Sequence, residues 1–181
     1  MTTRLNHVSS GTTQPSLPQG VWSVDPQRSE IGFAVKNFWG LQTVHGVFGA
    51  YDGRLMVGED GAGGELTIEA GSLDTGHKKR DRHLRSADFF DVERFPRIEF
   101  TATGVAVWDG GLTVDGDLVV GASRLRLEVP VNAALTADGQ LRLEGRTTVS
   151  RPAAGMAWNR LGSIGGDAVL HANLTLRRPT P

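Results

Sequence analysis

From Gly20 onward the chain repeats one pattern: short stretches in which apolar and polar residues alternate, broken by glycine-rich punctuation. Ile31, Phe33 and Val35 share one face of such a stretch, and Val44, Gly46 and Phe48 share one face of the next. Leu66, Ile68 and Ala70 alternate with Glu65, Thr67 and Glu69, and Ile98, Phe100 and Ala102 with Arg97, Glu99 and Thr101. The pattern returns at Leu125, Leu127 and Val129, at Leu141 and Leu143, and from Leu170 to Leu176. A period of two is the signature of a strand with one buried and one wet face, and it excludes an amphipathic helix. Clean alternation also favours antiparallel pairing. Turn signals separate the stretches at Asp52-Gly53, Gly58 to Gly64, Asp109-Gly110-Gly111 and Asp138-Gly139.

The pattern predicts an all-β fold, an antiparallel barrel of about eight strands, whose interior side chains can just fill or which can hold one small ligand. Glycines inside the strands (Gly32, Gly46, Gly49, Gly116, Gly121, Gly145) suit a strongly curved sheet. At 181 residues the chain reads as one domain over 20–178 behind a flexible, polar tail at 1–19. That tail has no apolar run of a signal peptide, and no stretch reaches 18 apolar residues, so no integral membrane segment is expected and the expected location is cytoplasmic. With 19 Lys and Arg against 20 Asp and Glu, no global charge draws nucleic acid or an anionic surface. The absence of cysteine removes disulfides, thiolate metal sites and thiol catalysis.

One passage breaks the alternation. Asp74 to Glu93 reads DTGHKKRDRHLRSADFFDVE, and a short helical segment is expected near 76–90, with Phe89 and Phe90 anchoring its end. His77 to Arg85 holds five basic residues and one acid. Lys78, Lys79, Arg80, Arg82 and Arg85 are the head-group candidates, able to give a phosphate charge-assisted hydrogen bonds. The competing reading is a solvated loop whose cations pair with Asp81, Asp88, Asp91 and Glu93.

Several passages together resemble the YceI-like family: VWSVDPQRSEIGFAV (21–35), TVHGVFGAYDGRL (43–55), SLDTGHKKRDRHLRSADFFDVERFPRIEFTAT (72–103) and VDGDLVVGASRLRLEV (114–129). TTVSRPAAGM (147–156) is a weaker match, because Ala153-Ala154-Gly155 stands where the family usually has aspartate–aromatic–glycine. The resemblance implies a lipocalin-like barrel that binds a polyisoprenoid or other long hydrophobic ligand, a fatty acid or amide included, and that forms a homodimer.

On that reading the inward side chains Ile31, Phe33, Val35, Phe48, Ile68, Phe100, Leu118, Leu127, Val129 and Leu143 line a cavity for an apolar chain. Binding, storage or transport without catalysis is the expected function. Two other readings remain open from the residues alone: a small enzyme acting on a lipid or amide, and a stress-linked barrel filled by its own side chains. No cofactor is expected. His45, His77, His83 and His171 show no metal-ligand spacing, and Ser72, Asp81 and His83 lack the elbow of a hydrolase. Trp22, Trp39, Trp108 and Trp158 are expected in the core, with Trp39 the one placed at a strand end where it can cover the barrel mouth.

Overall fold

The computed structural model describes residues 17–108, 111–159 and 161–179. Within them eleven strands follow one another as β1 (Gly20–Val24), β2 (Glu30–Asn37), β3 (Gln42–Phe48), β4 (Tyr51–Val57), β5 (Ala62–Glu69), β6 (Leu73–Asp74), β7 (Arg97–Trp108), β8 (Gly111–Val120), β9 (Ser123–Leu135), β10 (Leu141–Ser150) and β11 (Asp167–Arg177). A helix, α1 (Lys78–Arg85), stands between β6 and β7. Most of the expected tail, residues 1–16, and the Asp109-Gly110 turn signal lie outside the described residues.

All pairings are antiparallel, and eight strands form a closed ring in the order β1, β4, β5, β7, β8, β9, β10, β11. The ring shuts where Ser23 and Val24 of β1 meet Arg177 and Leu176 of β11. β2 continues alongside β11, β3 pairs with β2, and β6 pairs with β3. β2 thus takes over from β1 along the same edge of β11, and β6, at the end of this run, leads into α1.

Alternation places the apolar side chains inside. Phe100 faces Leu118, Leu118 faces Leu125, and Val114 faces Val129 across neighbouring strands. At the α1 end Ile31, Phe33, Phe48, Ile68, Phe90, Ile98 and Leu118 are buried together. Phe90 meets both Phe33 and Phe48, with ring centroids 6.2 and 5.9 Å away. At the opposite end Trp22, Val24, Leu55, Leu141 and Leu176 form a second buried group. Trp22 is 1% exposed and its Nε1–H donates to the Pro18 carbonyl at 3.0 Å, with Leu17 packed on the same group.

Three local expectations change. Asp52-Gly53 is not a turn but part of β4, where Gly53 pairs with Leu66. Gly121 ends β8 in a left-handed turn at φ 57° and Gly49 sits in the bend between β3 and β4, so neither lies inside a strand. Trp39 is 75% exposed in a short 3-10 turn after β2, against the expectation of burial. The ring is displayed there because Phe38 and Trp39 both adopt positive φ, 48° and 54°.

Two strand glycines have a specific cause. A Cβ on Gly46 would stand 2.4 Å from the Phe33 ring, and one on Gly116 would stand 2.4 Å from the Phe100 ring. Each glycine makes room for the inward aromatic ring of the adjacent strand. Gly46→Ala is expected to lower stability by about 1–3 kcal/mol through overpacking. Urea unfolding should show part of that loss returned when Phe33→Leu is added, since the two sites are neighbours and their effects do not add.

Candidate ligand cavity

The barrel encloses a cavity of ≈ 910 Å³. That lies within the range of about 300–1,000 Å³ usual for small-molecule sites. It extends from Leu17, Val24 and Leu55 at the Trp22 end to α1 at the other. All ten side chains expected to face the interior border it: Ile31, Phe33, Val35, Phe48, Ile68, Phe100, Leu118, Leu127, Val129 and Leu143. A surface of this kind takes hydrocarbon out of water but offers it no directional contact.

Polar groups gather where α1 lies against the barrel. Asp81 is 6% exposed and accepts hydrogen bonds from the Thr75 N–H at 3.0 Å and from the Thr75 hydroxyl. Arg80 donates from Nε to Thr75 Oγ1 and from its terminal nitrogen to the Thr75 carbonyl, both at 2.7 Å. Arg85 donates to the carbonyls of Gly71 (2.8 Å) and Leu73. These three side chains strap the helix to β6. His77 caps its start, Nδ1 accepting the Arg80 N–H, and Ser86 caps its end with a hydroxyl donated to the His83 carbonyl.

The five head-group candidates thus separate. Arg80 borders the cavity with its guanidinium engaged on Thr75, while Lys78 and Arg85 stand outside the lining. Lys79 and Arg82 are exposed and line the cavity. The competing reading, in which these cations pair with Asp81, Asp88 and Asp91, is not how those acids are used: Asp81 accepts from Thr75, Asp88 holds His83 at 2.9 Å and Asp91 pairs with Arg94.

Ser72, Asp81 and His83 do not come together. The Ser72 hydroxyl donates to the Glu69 carbonyl at 2.6 Å and accepts the Ala50 N–H, while Asp81 serves Thr75 and His83 serves Asp88. His171 pairs with Glu30 at 3.2 Å and His77 is the helix cap.

Two features of the cavity rim were not legible as site residues. The first is an aromatic cluster: the His83 ring meets Phe89 and Trp158 edge-on, with centroids 5.1 and 4.5 Å apart, and all three border the cavity. The second is Arg151, which is 5% exposed and also borders the cavity. It donates to the carbonyls of Gly165 (2.7 Å), Met156 (3.0 Å) and Trp158 (3.2 Å), and its guanidinium lies 5.9 Å from the Phe89 ring centre. Burial pulls its pKa below the ordinary arginine value. The only sequence signal was an arginine in the weakly matching TTVSRPAAGM passage, where a surface residue is the default.

A closed antiparallel barrel with a long apolar interior and a basic, aromatic rim at one end defines a lipocalin-like architecture. The YceI-like domain matches residues 22–176, and the chain belongs to that family. A UPF0312 protein of Photorhabdus laumondii is 34% identical over 117 residues, covering 63% of this chain and 59% of the relative. Protein YceI of Salmonella arizonae is 33% identical over 97 residues, covering 52% of this chain and 50% of the relative. The matches thus span little more than half the length of these curated relatives.

Among solved structures, BcnA of Burkholderia cenocepacia superposes with a TM-score of 0.76 at 19% identity, over 84% of this chain and 98% of that one. A polyisoprenoid binding domain from Saccharophagus degradans superposes at 0.71 with 14% identity, over 87% and 98%. At these identities the likeness is one of fold.

Removing Arg151 leaves three loop carbonyls without their donor. Arg151→Ala is expected to cost about 3 kcal/mol, the scale of hydrogen bonds from a charged group and of an orphaned buried acceptor. Arg151→Lys should recover little, because an ammonium lacks the planar fork that reaches three acceptors at once. Thermal unfolding of both variants measures this.

Proposed function

We propose that this chain binds, stores or carries a long-chain amphipathic lipid, such as a polyisoprenoid or a fatty acid or amide, without catalysis. The observation that carries the reading is the ≈ 910 Å³ cavity bordered along its length by inward apolar side chains. A filled barrel has no such volume, and each guest methylene withdrawn from water contributes about 0.8 kcal/mol. The fold likeness to a polyisoprenoid binding domain supports the same ligand class. The engagement of Ser72, Asp81 and His83 with separate partners gives the enzyme alternative no assembled nucleophile and base.

The head group belongs at the α1 end, where Lys79 and Arg82 line the cavity. These two of the five candidate cations are the proposed contacts, since Arg80 and Arg85 spend their donors on the backbone and on Thr75.

Organic extraction of the purified protein, followed by mass spectrometry, should release lipid in stoichiometric amount, or the stripped protein should take up a prenyl chain. Leu127→Trp, which fills the middle of the cavity, should reduce uptake at least about tenfold while the β-sheet circular dichroism is kept. Unchanged uptake would place the ligand elsewhere. Lys79→Ala with Arg82→Ala should weaken a prenyl phosphate by about tenfold more than the matching prenyl alcohol, the worth of one to two charge-assisted hydrogen bonds. Equal losses reject the head-group role.

A further inference from the structure

The cavity's guest has to enter and leave through a surface, and one end of the barrel carries side chains the interior does not use. Phe38 is 51% exposed, Trp39 75%, Leu41 89% and Leu161 81%. None of the four borders the cavity. Phe38 to Leu41 form the turn between β2 and β3, and Leu161 lies in the loop between β10 and β11.

Backbone hydrogen bonds join these two loops: the Trp39 N–H donates to the Ser163 carbonyl at 3.1 Å, and the Gly165 N–H to the Lys36 carbonyl at 2.7 Å. The second loop in turn meets α1 through Trp158, whose ring centroid is 4.5 Å from that of His83. The apolar turn, the apolar loop and the basic helix therefore make one continuous rim.

The turn is built to show its rings. Phe38 and Trp39 hold φ of 48° and 54°, a region that bulky residues rarely adopt unless the surroundings impose it. Here Asn37 Oδ1 accepts the Phe38 N–H at 2.8 Å and the Phe38 carbonyl accepts the Leu41 N–H at 3.1 Å. Beside them α1 brings five cations and one acid, Asp81, which is buried. Lys78, Lys79 and Arg82 are exposed.

We propose that this rim is a docking face for an anionic lipid bilayer, with Trp39, Leu41, Phe38 and Leu161 entering the interface and Lys78, Lys79 and Arg82 meeting the acidic head groups. Aromatic and aliphatic side chains flanked by cations are the composition that seats on such a surface. The net charge of −1 hides this, because the attraction is local and screened beyond about a Debye length. Charge also argues against a second copy of the chain as the occupant. A twofold contact puts the same patch on both sides, so one basic helix would face another. The inference rests on the lipid-binding reading, to which it adds the route of exchange.

The test uses the purified full chain and two kinds of vesicle: phosphatidylcholine alone, and phosphatidylcholine mixed equally with phosphatidylglycerol. Flotation should recover the protein with the mixed vesicles only, less so as salt rises. Trp39→Ser combined with Leu41→Ser should lower partitioning at least about tenfold, and Lys78→Gln about fivefold. Uptake of a polyprenyl phosphate delivered from cyclodextrin, with no vesicle present, should be unchanged in both variants. No flotation with the mixed vesicles, or equal flotation of the double variant, overturns the proposal. So does sedimentation showing that the double variant turns a dimer into a monomer, which makes the patch a self-interface. Flotation with lost or absent uptake in the unmodified protein would instead sink the cavity reading and leave the docking face standing.

Discussion

A closed sheet has no free edge, and every consequence in this molecule follows from that. Once Ser23 and Val24 pair with Arg177 and Leu176, each of the eight ring strands has a neighbour on both sides and alternate side chains must face a shared interior. The alternating strands then concentrate apolar surface on the inside while their charged residues remain outside. What the interior can hold is set by how well its own side chains fill it.

They do not fill it evenly. Aromatic rings cluster at the α1 end, where Phe33, Phe48 and Phe90 pack in tilted and edge-on contacts. At the Trp22 end the closure is by Trp22, Leu141 and Leu176, each almost wholly buried. The cavity runs from one group to the other, and between them its lining is largely aliphatic. Glycines 46 and 116 show that space was also made for the rings themselves, since the Cβ of any other residue would collide with them. The two ends differ in chemistry as well: one is apolar, the other basic and aromatic.

The basic passage illustrates how one segment can serve two purposes. Arg80, Asp81 and Arg85 hold α1 against β6 and the residues on either side of it, so much of the segment's charge is structural. Lys78, Lys79 and Arg82 are what remains for solvent, ligand or surface. Arg151 plays the matching part across the rim, gathering three carbonyls of the loop that carries Trp158 and leads to Leu161. The helix and the loop at this end are therefore both held by arginine donors.

The sequence by itself determined seven of the strands, their inward faces and the helical break, because those depend on the spacing of neighbours along the chain. A period of two names the buried face whether or not the partner strand is known, which is why Ile31, Phe33 and Val35, or Leu127 and Val129, were legible from their spacing alone. Asp52-Gly53 misled for the converse reason: a dipeptide favouring turns lies in β4 because β1 and β5 pair with it on either side. Only the tertiary structure decided which cations are free, that Arg151 is buried, that Trp39 is displayed and Trp22 enclosed, and that the interior holds a cavity. None of these follows from the alternation: some are relations between distant residues, such as Trp39 with Ser163, and others are local, such as Arg151 with Met156 and Trp158. Burial, hydrogen-bond satisfaction and leftover volume exist only after the ring has closed.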